Sequence, residues 1–345
     1  MRIRLLLPEV KPEPSQRPKG CKRCHSPILQ GHGLIKKRVR DTKVKQVIVQ
    51  RYRCPACGHT FRHYPLGISQ AQQSGRLIVL AALIWGLGLS CSASSHILGL
   101  LEAPLSKMTV WRDVQVVGEG LRWRKGQGKV RVIGADETVV RLKGREVAVG
   151  VVVDAQAGQT IGVDLLVNGR DAAAFERWLL PYVGELGVEV VVSDDLSTYK
   201  PVAERLDLRH QVCLAHIRRN LGRRLREIEG WEAVKERLKH LIKELPLEGG
   251  EVLLALEKEV KAEPRLKALV VELGQKWPSL VLYKQVIGVP ATNNVSERAI
   301  ARTKVRVKTI RGFKSEEGSL NAFALTQWLY TPAPQHDTAF LLEVA

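Results

Sequence analysis

Five short apolar runs between residues 128 and 216 have the length and composition of β-strands, and helical patterns flank them on both sides. The runs cover 130–135, 147–153, 159–167, 188–193 and 208–214, with a helical pattern at 171–186. Turns at Lys143-Gly144 and Ala155-Gln-Ala-Gly158 join the first three runs into a meander. The helix before the fourth run predicts a crossover that makes the fourth strand parallel to one of the first three. We therefore expect a mixed α/β sheet.

The order of strands and helices matches the ribonuclease-H-like fold, in which the first and fourth strands lie side by side. Asp136 directly follows the first apolar run, and Asp194 directly follows the fourth. Adjacent parallel strands would bring both carboxylates to one edge of the sheet, where open α/β sheets bind ligands. Glu137 and Asp195 are the neighbouring alternatives. Together with Glu297, which opens a later helical stretch, Asp136 and Asp194 supply the oxygen ligands that Mg²⁺ prefers.

Two C-x-x-C pairs near the N-terminus predict a structural zinc ribbon. Cys21 and Cys24 form the first pair, and Cys54 and Cys57 form the second. Four thiolates suffice for tetrahedral Zn²⁺, and the intervening residues are enough for a β-hairpin that includes a strand from Val47. The alternative is a set of reduced surface thiols.

Three helical stretches follow the cysteine pairs, at 73–89, 92–101 and from about Ser106. Their spacing is that of a helix-turn-helix, with Ser106 or Thr109 as the N-cap of a recognition helix that contains Trp111 and Arg112. The alternative is a plain three-helix connector. A later stretch, 217–285, is helical and rich in charge, and its Trp231 and Trp277 predict a packed subdomain.

The charge of the chain favours a nucleic-acid partner. Lys and Arg number 54 against 35 Asp and Glu, which gives a formal net charge of +19. The excess is concentrated in residues 1–65 and 295–314. Clustered positive charge of this kind binds DNA phosphates. The beginning of the sequence lacks the pattern of a secretory signal, and no apolar run reaches the roughly 20 residues that span a bilayer, so we expect a cytoplasmic, nucleoid-associated protein.

A basic stripe is expected on a helix over 295–311. Lys304 lies seven residues after Glu297 and hence on the same helical face, and Lys308 and Arg311 continue the stripe. A solvated basic face is the alternative. Arginines at the start of the helical stretch 217–285 are further candidate DNA contacts, namely Arg218, Arg219, Arg223, Arg224 and Arg226.

Four sequence blocks resemble a known family. They are Gly134-Ala-Asp136-Glu-Thr, Val191-Val-Ser-Asp194-Asp-Leu-Ser-Thr-Tyr199, Gln211-Val-Cys213-Leu-Ala-His216-Ile-Arg-Arg-Asn220 and Thr292-Asn-Asn-Val-Ser-Glu297-Arg. Through these blocks, residues 130–330 resemble bacterial insertion-sequence transposases of the DDE type, related to the Mutator-like group. The zinc ribbon and the helix-turn-helix resemble the N-terminal DNA-binding parts of such proteins.

The resemblance implies that Asp136, Asp194 and Glu297 bind Mg²⁺ or Mn²⁺ and catalyse two-metal cleavage of terminal inverted repeats, followed by joining to target DNA. Cys213 and His216 match a C-x-x-H signature whose role stays open. Assembly on two DNA ends implies at least a dimer. The expected DNA contacts are Arg298, Lys304, Lys308, Arg311, Trp111 and Arg112.

The expected architecture is α/β, with a ribonuclease-H-like mixed sheet that contains a helical insertion and follows a zinc ribbon and a small helical DNA-binding domain. The expected boundaries are 1–65 for the ribbon, 66–125 for the helix-turn-helix, 126–216 with 286–330 for the catalytic domain, and 217–285 for the insertion. Two other functions fit parts of this pattern. A ribonuclease-H-like nuclease or resolvase would share the metal site, and a zinc-ribbon regulator with an inactive core would bind DNA without chemistry.

Overall fold

A computed structural model of the chain describes residues 5–122, 128–167, 169–331 and 336–337. The chain divides into two compact units, one formed by Met1–Arg124 with Thr303–Ala345 and the other by Lys125–Arg302. The first unit is thus built from both ends of the chain and the second from its middle. Among the described residues, no helix combines the length and the apolar character that crossing a membrane requires.

The secondary structure consists of short strands and mostly longer helices. The strands are β1 (Leu5–Leu6), β2 (Gln30–Arg38), β3 (Gln46–Arg53), β4 (Thr60–His63), β5 (Val132–Leu142), β6 (Arg145–Asp154), β7 (Thr160–Leu166), β8 (Val190–Ser193), β9 (Arg209–Val212) and β10 (His336–Asp337). The helices are α1 (Gly75–Gly86), α2 (Cys91–Leu100), α3 (Lys107–Arg122), α4 (Ala172–Leu186), α5 (Tyr199–Arg205), α6 (Leu214–Arg226), α7 (Glu232–Glu244), α8 (Gly249–Glu259), α9 (Pro264–Gln285), α10 (Asn294–Val307) and α11 (Glu316–Tyr330).

In the first unit, a small antiparallel sheet in the order β2-β3-β4 precedes the helices, and β1 pairs in parallel with β10. The predicted strand from Val47 is confirmed as part of β3. Helices α1, α2 and α3 confirm the three predicted helical stretches. Each begins after a serine whose hydroxyl oxygen accepts a backbone N–H three residues further on, at Ser74, Ser90 and Ser106. A serine in this position satisfies one of the free N–H groups at a helix start, which is why the helices begin there.

The second unit contains the five-stranded sheet in the order β7-β6-β5-β8-β9. Strands β5, β6 and β7 form an antiparallel meander, and β8 pairs in parallel with both β5 and β9. The Lys143-Gly144 turn has positive φ at both residues, 51° and 81°, which is the turn that closes a two-residue hairpin. The first and fourth strands of this sheet therefore lie side by side, and the prediction of a ribonuclease-H-like fold is confirmed.

Helices on both faces bury the middle of the sheet. All four residues of β8 are buried. Val191 packs in a cluster with Phe175 of α4, and Val190 packs in a second cluster with Val286. Strands that are buried on both faces are apolar throughout rather than alternating, which explains the unbroken valine run before Asp194.

Helices α6 to α9 form the predicted packed subdomain around an apolar cluster of their own. Trp277 is buried in that cluster, and its indole N–H donates to the carbonyl of Pro246 at 3.1 Å. Trp231 packs against the same cluster.

The position of Asp136 differs from the prediction, because this residue lies inside β5 rather than after its end. Strand β5 pairs with β8 only over Val132–Gly134, whereas its pairing with β6 continues to Leu142. The hairpin with β6 thus extends the strand beyond the parallel part of the sheet. Asp136 still lies just beyond the last residue paired with β8, and Asp194 directly follows β8.

The prediction of a helix over 295–311 is wrong at its C-terminal end, because α10 ends at Val307. The N–H of Thr309 donates to the carbonyl of Arg306 at 3.1 Å, three residues back, and Gly312 has a φ of 111°. The chain therefore turns away from the helical path. Lys308 and Arg311 lie beyond the helix and do not extend a stripe from Lys304.

Candidate active site and metal centre

Asp136 is held in place by two hydrogen bonds. Its Oδ1 accepts the backbone N–H of Glu137 at 2.8 Å, and its Oδ2 accepts the side-chain amide of Asn293 at 3.2 Å. Only 9% of Asp136 is exposed. Burial, reinforced by the negative charges of Asp194 and Glu137, raises the pKa of Asp136 to about 7. A bound cation would lower the pKa of such a buried carboxyl group again, because its positive charge stabilises the ionised carboxylate.

Asp194 lies where β8 ends, and its Oδ1 accepts the backbone N–H of Leu196 at 3.0 Å. Burial raises the pKa of Asp194 in spite of that hydrogen bond, and the charge of Glu137 raises it further. The charge of His216 acts in the opposite direction.

The neighbouring acids Glu137 and Asp195 have other partners. Glu137 accepts hydrogen bonds from Arg170 at 2.5 Å and from the Tyr199 hydroxyl at 3.0 Å. Asp195 accepts from Lys276 at 2.6 Å and from Asn220 at 3.1 Å. Acids that already have cationic partners are poorer metal ligands, so these contacts favour Asp136 and Asp194 over their neighbours.

Glu297 lies in the first turn of α10, and the start of this helix packs directly on β5. A Cβ at Gly134 would overlap the Oγ of Ser296, so the absence of a side chain at Gly134 allows this approach. Asn293, only 2% exposed, also donates to the carbonyl of Ala135 at 3.4 Å. The side-chain oxygens of Asn293 and Ser296 are buried without a hydrogen-bond partner among the described residues.

Cys213 and His216 contact different parts of the site instead of forming a shared ligand pair. The Sγ of Cys213 is buried and accepts the backbone N–H of Asn293 at 3.2 Å. The Cys213 N–H in turn donates to the carbonyl of Ser193 at 2.9 Å, directly before Asp194. His216 Nε2 lies 3.6 Å from Glu297 Oε1. The residue pattern alone predicted no role for Asn293, although Asn293 lies in the sequence block that contains Glu297.

The proposed DNA contacts are distributed over both units. Arg298, next to Glu297 in the second unit, is exposed. In the first unit, Lys304 is half-buried and Arg112 is exposed. The ring of Trp111 packs edge-on against Trp85, with 5.7 Å between the ring centroids. This contact gives Trp111 a packing role, and its contact with DNA stays a prediction.

The four cysteines of the N-terminal pairs come together as the sequence predicts. Their Sγ atoms all lie within 4.8 Å of one another, and the Cys21–Cys57 and Cys24–Cys54 sulfur distances are both 3.6 Å. A tetrahedral Zn²⁺ with Zn–S bonds of about 2.3 Å separates its sulfurs by roughly 3.8 Å, so the cluster fits this ion. Among the described residues, the three carboxylates are not gathered this closely.

The two cysteine pairs sit on matching turns. The N–H of His25 donates to the Cys21 carbonyl at 3.0 Å, and that of Gly58 donates to the Cys54 carbonyl at 2.9 Å. His25 and Gly58 both have positive φ, at 59° and 69°. A backbone hydrogen bond from Cys24 lowers the pKa of the Cys21 thiol to about 7, which favours its thiolate. Despite a backbone hydrogen bond from His59 that acts to lower it, the pKa of the Cys57 thiol is raised, because the neighbouring thiols of Cys24 and Cys21 outweigh that bond.

One family model and several solved structures are similar to parts of this chain. The family model described as "Transposase IS66 family" matches residues 124–246. No curated protein matches the chain. Among solved structures, the Drosophila P element transposase strand transfer complex is similar over 76% of this chain and 80% of its own, with 11% identity and a TM-score of 0.30. The Mos1 transposase catalytic domain with raltegravir and Mn is similar over 48% and 91%, with 14% identity and a TM-score of 0.19.

These structural likenesses are low, so the fold assignment rests on the strand order of this chain. The family match rests on the sequence itself, and it includes Asp136, Asp194, Cys213 and His216 but ends before Glu297. The match includes three of the four sequence blocks and confirms their resemblance to transposases, whereas the fourth block, with Glu297, lies outside it.

Proposed function

We propose that the protein is a transposase that binds the terminal inverted repeats of an insertion sequence and catalyses metal-dependent DNA cleavage and strand transfer. The observation that carries the proposal is the placement of three carboxylates. Asp136 and Asp194 lie where the pairing of β5 with β8 ends, and Glu297 lies in the first turn of the helix that packs on β5. In this proposal all three are Mg²⁺ or Mn²⁺ ligands.

The donor set suits hard divalent cations, which prefer carboxylate oxygens and phosphate oxygens. When bound, a pair of such ions would supply an activated water or 3′-hydroxyl and would stabilise the leaving oxygen. The chain's own residues hold the ligands in place. Asn293 orients Asp136, the Leu196 N–H orients Asp194, and His216 lies beside Glu297.

DNA binding is proposed for the zinc ribbon, for the helix-turn-helix with Trp111 and Arg112, and for four cations near the end of the chain. These cations are Arg298, Lys304, Lys308 and Arg311. The formal net charge of +19 supports a polyanionic partner. Action on two DNA ends requires two active sites, so at least a dimer on DNA is part of the proposal, as is the four-part division of the chain given above.

The test compares wild type with Glu297→Gln on labelled duplexes that carry the two ends of the element encoding the chain, with plasmid as target and Mg²⁺ or Mn²⁺. Glu317→Gln, an exposed acid on α11, is the matched control. We expect cleaved and joined products from wild type and the control, and none from Glu297→Gln, although it still binds DNA.

Other results of this assay would favour one of the two alternative functions. Cleavage without joining would replace the transposase with a nuclease or resolvase. DNA binding without chemistry in any variant would indicate a regulator with an inactive core.

A further inference from the structure

A basic cleft lies between α6 and α7, in the helical part of the second unit. Its volume is about 390 Å³, within the range of pockets that take small ligands or parts of larger ones. Six residues line it: Arg218, Leu221, Gly222, Lys239, Ile242 and Lys243. Three of these are cations and none is acidic. The cleft therefore combines positive charge with an apolar floor.

The cations of the cleft are available to a ligand. Arg218 and Lys243 are exposed, and the described residues provide no ion-pair partner for either. Lys239 pairs with Glu236 at 2.6 Å, an exposed pair three residues apart of the kind that contributes little. Arg224, by contrast, pairs with Glu272 at 2.5 Å and with it forms part of the network around Lys276.

The floor of the cleft is apolar and open above. Leu221 and Ile242 are buried beneath it, and a Cβ at Gly222 would meet nothing within 4 Å. A sugar–phosphate backbone has the matching chemistry, because its sugar presents apolar carbon atoms while its phosphates attract the cations. Nucleic-acid binding surfaces combine the same two features.

The cleft is distinct from the carboxylate site. His216 points to Glu297 from the first turn of α6, and Arg218 follows it by about 200° around the helix, since each residue advances by about 100°. The cleft therefore opens on another face of α6. A DNA segment held there contributes to binding and not to the chemical step.

We propose that this cleft binds the phosphodiester backbone of DNA outside the segment that is cut. The inference rests on the proposed function, since it assigns a second contact to the same substrate. Each contacted phosphate contributes about 0.9 to the slope of log K against log salt for duplex DNA. Three cations in the cleft would thus account for up to about 2.7 of the slope.

The test is the triple variant R218Q/K239Q/K243Q, with K258Q/K261Q/R265Q as matched control. The control residues are exposed cations of the same unit that do not line the cleft, and the loss of charge is equal. Duplexes with the element's ends and unrelated duplexes are titrated between about 50 and 300 mM NaCl. Thermal melting checks that both triples remain folded.

For the cleft triple we expect a slope smaller by about 2 to 3 on both duplexes, and a Kd at least tenfold higher near physiological salt. We expect a change of less than about 1 in slope for the control. In cleavage assays the cleft triple should raise KM and leave kcat unchanged. Equal slopes for the two triples would overturn the inference.

The two proposals fail separately. If wild type cuts and joins DNA but the two triples bind alike, the cleft is not a DNA site and the transposase proposal stands. If wild type shows no chemistry, the proposed function fails, and the difference in slope still decides whether the cleft contacts DNA.

Discussion

At the scale of single residues, Asn293 forms hydrogen bonds with three separate parts of the candidate site. Its side-chain amide donates to Asp136, and its backbone N–H donates to the Sγ of Cys213. Its carbonyl accepts the N–H of Glu297. One buried residue therefore contacts a carboxylate on the sheet, the residue before α6 and the carboxylate residue on α10.

We expect Asn293→Ala to slow DNA cleavage by at least about tenfold, because small misplacements of a catalytic group are costly, and to lower the free energy of unfolding by about 1–3 kcal/mol. Asn294→Ala is the control, since Asn294 is adjacent and exposed. The measurements are cleavage kinetics with Mn²⁺ and denaturant unfolding. A wild-type rate in Asn293→Ala would remove this residue from the site.

The sequence predicts the acids of this site better than the groups that hold them. Asp136 and Asp194 follow apolar runs, and such runs are visible in local periodicity. The hydrogen bond between Asn293 and Asp136 joins residues 157 positions apart, and the bond from Tyr199 to Glu137 joins residues 62 apart. Contacts of this kind depend on how elements pack, and periodicity carries no information about packing partners.

At the scale of elements, helices α3 and α11 cross at close range. A Cβ at Gly118 would overlap the carbonyl of Asn321, so the two backbones touch at this point. The Asn321 side chain accepts a hydrogen bond from Arg122 at 3.1 Å and donates to Gln115, also at 3.1 Å. The close crossing therefore depends on the lack of a side chain at Gly118 and on the hydrogen bonds that Asn321 makes with Arg122 and Gln115.

Gly118→Ala is expected to lower the free energy of unfolding by about 1–3 kcal/mol, because the added methyl meets backbone that cannot rotate away. Gly99→Ala in α2 is the matched control. A Cβ there meets nothing within 4 Å, and alanine is the better helix former, so stability should rise by up to about 1 kcal/mol. Thermal melting measures the change in stability of each variant. Equal changes in Gly118→Ala and Gly99→Ala would contradict the close crossing of α3 and α11.

Element order was the most predictable part of the fold, and element ends were the least. Short turns and one crossover helix determine the strand order. Both can be recognised in the sequence, the turns by their glycines and the crossover by its helical pattern. The end of α10 depends on a turn at Thr309, where the side chain of Arg306 also donates to the threonine hydroxyl at 2.7 Å. Arg306 has the pattern of an exposed basic residue, yet it is only 2% exposed and lies 4.5 Å above the Trp85 ring.

At the scale of the whole molecule, the region of the proposed zinc ribbon has two small apolar clusters, one with Val47 and Val49 of β3 and one around the cysteines. The cluster around the cysteines contains only Leu29 and Phe61 besides two of the cysteines themselves, with Tyr52 and Cys57 packed against it. A cluster as small as the one around the cysteines usually needs a metal or a disulfide to stay folded.

If the four cysteines bind zinc, its removal by a chelator, or Cys54→Ser, should therefore unfold the turns around the cysteines while the cluster with Val47 and Val49 and the other cores remain folded. All seven tryptophans lie after residue 84, so their fluorescence should change little while zinc release and loss of strand signal are detected. Cys91→Ser, a cysteine outside the cluster, should keep its zinc. Full retention of structure without metal would contradict the prediction.

The first unit takes its last helix from beyond residue 303, and this has a consequence for damaged copies of the gene. A frameshift or premature stop at any codon up to that point removes α11. Such a product would leave Gly86 and Gly118 without the helix that packs on them, at Leu329 and Asn321. We therefore expect such truncated products to be unstable and to be degraded, and not to accumulate as folded N-terminal fragments.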